Sequence, residues 1–188
     1  MKLNFNYSQV YDELLSYMSR NNFDNKQIIE LETFCIELSK YWDNLNNKIV
    51  KEIEKVSSLK FKSNVDCFVV KHLGYRAISD PFTVKVHKDF NYLTGVIIHE
   101  LIHILIRDNE KIIKLVNNKF KHEENDFKIH FPVLIIQKKV IENLFGEKFF
   151  NNIMKKDDHN PDLAYEWDQV NKVYNYFNSN IIKFLEKC

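Results

Sequence analysis

Residues 94–107, TGVIIHELIHILIR, carry His99, Glu100 and His103 in the pattern HExxH inside an otherwise apolar run. Positions four apart on a helix lie one above the other, so both imidazoles project to the same side and can share one ion. Glu100 stands one step round from His99, within reach of a water on that ion. Val96, Ile97, Ile98, Leu101, Ile102, Ile104, Leu105 and Ile106 leave no polar face, which predicts a buried helix. Two imidazoles and a carboxylate in such a helix are costly unless something satisfies them. A metal ion does so. The alternative is a buried His–Glu hydrogen-bond cluster with no ion.

The rest of the chain reads as long regular elements, because Gly and Pro number only three each in 188 residues. Residues 7–20 carry Val10, Leu14, Leu15 and Met18 at helical spacing, with Ser8 as N-cap. Residues 26–59 repeat apolar positions at threes and fours, with a split expected near residues 44–47. The period then changes to two: residues 64–73 and 82–87 read as strands. In the second, Phe82, Val84 and Val86 alternate with Thr83, Lys85 and His87, so one face is buried and the other wet. Residues 74–81 read as the loop between them. Beyond the central helix, residues 111–116 have helical character and residues 117–126 read as a charged loop. An amphipathic helix is expected at residues 133–145, with Pro132 in its first turn and Gly146 ending it. After a polar connection at residues 155–161, a last helix is expected over 164–185.

The net charge of +1 gives no reason to expect nucleic acid or an anionic membrane as partner. No run approaches membrane-spanning length and the N-terminus has no apolar signal region. Cys35, Cys67 and Cys188 form neither a ligand spacing nor an even framework, which favours a reducing, cytoplasmic compartment.

The HExxH stretch resembles that of the zincin metallopeptidases, a likeness carried closely by residues 94–107 and loosely by the order of elements around them. The resemblance implies an α+β fold with a small mixed sheet, residues 82–87 as an edge strand over the buried HExxH helix, and substrate along that edge. One domain would span residues 1–188, with helices in 1–60, strands and the HExxH helix in 61–107, and a helical part in 108–188. It also implies Zn²⁺ bound through His99 and His103, with Glu100 as general base. The longer HExxHxxGxxH pattern is absent, since Ile106 and Asn109 stand where its glycine and third histidine would be. The likeness is therefore to small zincins with a distant third ligand.

For that ligand, Glu110 would lie ~10 Å beyond His103 along a continued helix, too far to share the ion. Glu142 sits on the next long helix, but its helical neighbours Lys138 and Lys139 turn it to water. His122, Glu123 and Glu124 fall in the charged loop. His130, between Ile129 and Phe131, is the preferred candidate, with Glu142, Glu123 and Glu124 left open. Tyr165, His159, Arg76 and Tyr92 are candidates for an oxyanion donor, and Asp126 and Asp89 for orienting a ligand histidine. The expected activity is a zinc endopeptidase acting on peptide or protein substrates. The alternatives are a catalytically silent zinc- or partner-binding relative, and a helical interaction module built on residues 26–59.

Overall fold

Leu3, Phe5 and Tyr7 alternate with Asn4 and Asn6, and this period of two makes a strand, β1 (Leu3–Tyr7), which the reading above misses. The computed structural model describes residues 1–157 and 163–187. It continues with α1 (Gln9–Met18), α2 (Lys26–Asp43), α3 (Asn46–Ser57), β2 (Val65–Val70), β3 (Ala77–Ser79) and β4 (Phe82–Lys85). Then follow α4 (Phe90–Arg107), α5 (Glu110–Lys119), α6 (Asn125–Phe145), α7 (Glu147–Asp157), α8 (Ala164–Val173) and α9 (Ile181–Lys187). Among the described residues this is an α+β arrangement of nine helices and one mixed four-stranded sheet. Two compact units divide it. One comprises Met1–Asn47 and Ser63–Glu100, the other Lys48–Lys62 and the described part of Leu101–Cys188, and α4 is a continuous helix common to both.

In the first unit the sheet order is β1-β2-β4-β3, with β3 alone antiparallel to its neighbour. This corrects the expected edge. Residues 82–87 are not a half-wet edge strand: β4 lies between β2 and β3, and Phe82, Thr83 and Val84 are all buried. Thr83 tolerates that position because its hydroxyl donates to the Pro81 carbonyl and pairs with the Tyr11 hydroxyl. The two edges are β1 and β3, and β3 arises inside the segment expected to be a loop. Three residues are too few to display a period, so that strand is made by its pairing with β4.

Trp42 of α2 anchors this unit. It is fully buried, meets Phe5 of β1 edge-on, and donates its indole N–H to Asn46 Oδ1 at 2.9 Å. Asn46 in turn accepts from the Leu3 amide and donates to the Met1 carbonyl, so one buried amide ties β1 to the start of α3. Trp42→Ala would empty a large core site and leave Asn46 short of a donor. We expect a loss of about 4 kcal/mol in a urea unfolding titration.

Cys35 and Cys67 are buried free thiols, as expected of apolar residues. Burial pushes the Cys35 thiol up to about 11 and Cys67 well above its usual value. Neither therefore supplies thiolate at neutral pH. A thiol-disulfide reagent at pH 8 is expected to leave both unmodified in the native protein, with the titre rising by two thiols on denaturation.

In the second unit α6 starts at Asn125, eight residues earlier than Val133, and Pro132 lies inside it. A proline within a helix forfeits one backbone hydrogen bond. Aromatic packing offsets the loss: Phe127 stacks on Phe131 one turn later, and both meet Phe120 at ring distances of 5.1 and 4.9 Å. Gly146 does end the helix, with φ of 85°, a value glycine adopts without strain. The expected final helix is broken into α8, a 3₁₀ turn at Tyr174–Tyr176, and α9.

Candidate metal centre

Helix α4 is fixed at its N-terminus by side chains of the first unit. Asp89 Oδ1 accepts from the Asn91 and Tyr92 amides at 2.9 and 3.2 Å, an N-cap that also places a negative charge at the positive helix end. Phe90 packs edge-on against Phe34 and against Tyr41, whose hydroxyl donates to Asn91. From Tyr92 to Arg107 every residue is buried except Val96, His99, His103 and Arg107. Their spacing of three and four puts them on one stripe. The expectation of a buried helix therefore holds, with one half-buried stripe on which both histidines stand.

His130 comes from the second turn of α6, three residues after Phe127 and next to Phe131, so the aromatic cluster that starts the helix early also sets the position of this imidazole. Its ring meets that of His103 edge-on, with centroids 5.1 Å apart. One nitrogen from each of His99, His103 and His130 lies within 4.8 Å of the others. His130 Nδ1 is 3.0 Å from the Asp126 carbonyl oxygen. If Nδ1 carries the proton and donates there, Nε2 keeps its lone pair, which is how a histidine is prepared to bind a metal. Asp126 thus orients His130 through its backbone, not through its carboxylate.

The donor set suits zinc. Three imidazoles leave a fourth position open, the ligand number of a catalytic zinc site. With Zn–N bonds of about 2.0–2.1 Å, tetrahedral nitrogens stand roughly 3.4 Å apart, so closing on an ion takes side-chain rotations of about 1 Å. Glu100, adjoining His99, is 9% exposed. Desolvation pushes its carboxyl up to about 7, close to neutral pH, where a carboxylate is a competent proton acceptor.

Other sequence candidates lie elsewhere. Glu142 accepts a short hydrogen bond from the Tyr174 hydroxyl. Its helical neighbour Lys138 donates to Asn171 and sits over the Tyr174 ring. Glu123 accepts from the Tyr165 hydroxyl, Glu124 is the exposed residue before α6, and Glu110 starts the separate helix α5. None joins the three-histidine group. Tyr165 is 52% exposed and Tyr92 is buried against the His87 ring. His159 lies outside the described residues. What the sequence reading missed was the scaffold of His130. Its one visible signal was Phe127 and Phe131, a helical i,i+4 pair that continues the pattern back across Pro132.

Comparison with known protein families, with curated proteins and with solved structures found no match.

Proposed function

We propose that this chain is a zincin-like zinc metallopeptidase that hydrolyses peptide bonds, with His99, His103 and His130 as metal ligands and Glu100 as general base. One observation carries the reading: three histidine nitrogens converge within 4.8 Å, two of them from an HExxH turn whose glutamate is buried beside them. A purely structural zinc site needs no such glutamate and is usually closed by a fourth protein ligand. Bound Zn²⁺ supplies a Lewis acid that lowers the pKa of a coordinated water to about 7 and polarises a carbonyl. The chain's own part is proton handling. Glu100 takes the proton from the attacking water on its carboxylate and returns it to the departing amine. In this reading the three histidines, each only half-buried, are within reach of a substrate carbonyl.

The test is metal analysis of the purified protein together with cleavage of a peptide library, before and after chelation. About one zinc per chain, with hydrolysis lost on chelation and restored by zinc, supports the proposal. Zinc without hydrolysis would favour the silent metal-binding relative. No zinc under any purification would reduce HExxH to a buried polar cluster and overturn the reading.

A further inference from the structure

Helix α1 is turned the wrong way for a dry core. Asp12 and Ser16 face inward and are buried, while Val10, Leu14, Tyr17 and Met18 are 54–83% exposed. A helix buries its polar side only over something polar. Here that is the carboxyl end of β1 and β2. Asp12 Oδ1 accepts from the Lys71 and His72 amides, just past the end of β2, at 2.9 and 3.0 Å. His72 Nε2 lies 3.2 Å from Oε1 of Gln27, in the first turn of α2. Tyr7, the last residue of β1, has its phenol pushed up by burial and then by Asp12, the strongest of the charges acting on it. Four buried side-chain atoms among the described residues have no hydrogen-bond partner, and three belong to this cluster: Tyr7 Oη, Asp12 Oδ2 and Gln27 Nε2. Asp12 and Gln27 are 0% and 3% exposed, so leaving them unmet would be expensive.

We propose that Tyr7, Asp12 and Gln27 bind one internal water molecule, and that α1 is the lid of this hydrated chamber. The donor and acceptor roles close: water donates to Asp12 Oδ2, accepts from Gln27 Nε2, and exchanges its third bond with the Tyr7 hydroxyl, which can play either part. Three partners are the usual number for an internal water. A cation suits the chamber less well, because the Gln27 N–H groups would point at it. A direct Tyr7–Asp12 bond would leave Gln27 unmet. The inverted face of α1 then has a cause, since this helix covers water and hydrogen-bonding groups at its inner side.

A crystal structure at a resolution that shows ordered water is expected to place a peak within hydrogen-bond distance of Asp12 Oδ2 and at least one of the other two atoms. In solution, oxygen-17 relaxation dispersion should count one fewer long-lived water in Gln27→Leu than in the wild type. An unchanged count, a direct Tyr7–Asp12 bond in the map, or a peak with the short distances of a metal cation would overturn the proposal. If Gln27→Leu does not fold, the wild-type map decides alone.

Discussion

Glu100→Gln is expected to keep its zinc and lose peptide hydrolysis by 10²–10⁴-fold, the usual contribution of a positioned general base. The substitution preserves shape and removes only the capacity to take a proton. His99, His103 and His130 are untouched, so metal content should stay at the wild-type level. Initial rates on a peptide substrate, with zinc content measured on the same samples, check this; full activity in the variant would sink the mechanism. A collapsed fold would also abolish activity, and stability against pH separates the two. In the metal-free wild type the Glu100 carboxyl is held above its usual value of 4.5, at about 7. The folded state therefore binds this proton more tightly than the unfolded state, and its stability falls as pH rises between those values, by up to ~3 kcal/mol. Glutamine carries no such cost. The metal-free variant should be at least as stable as metal-free wild type at pH 8, with the gap closing by pH 5.

That glutamate and its two histidines were legible because a helix translates spacing into direction. His99 and His103, four apart in an apolar run, share one side of α4 whatever surrounds it, with Glu100 one step round. Local signals worked elsewhere for the same reason: Ser8 caps α1 through its hydroxyl and Gly146 stops α6. Illegible features were those set by partners distant in sequence. Phe82–Lys85 alternates like an edge strand, yet pairing with β3 on one side and β2 on the other makes it interior. Val10 and Met18 look like core, yet α1 turns Asp12 and Ser16 inward, so they face outward. Pro132 looks like a helix start, yet the Phe120–Phe127–Phe131 cluster carries the helix back to Asn125. That last difference bears on the site, because it changes His130 from a residue before the helix mouth to one held rigidly on the helix itself.

The rigidity makes His130→Ala the sharper test of the metal centre. Removing the hydrogen-bond partner of a ligand histidine typically costs 10–100-fold in metal affinity, so removing a ligand itself should weaken zinc by more than about 100-fold. His130 is half-exposed and its Nδ1 bond is local to α6, so alanine there should leave the fold intact by circular dichroism. His103→Ala is the matched control, since its ring is in direct contact with that of His130. Competition against a zinc-binding dye should show both variants weakened alike. If His103→Ala loses zinc and His130→Ala does not, the third ligand lies elsewhere. The remaining candidates are then Glu142, which accepts from Tyr174, and Glu123, which accepts from Tyr165. Glu142→Gln and Glu123→Gln would distinguish them. If neither histidine variant loses zinc, the ion is not held at the HExxH turn, and the convergence of the three rings is packing alone.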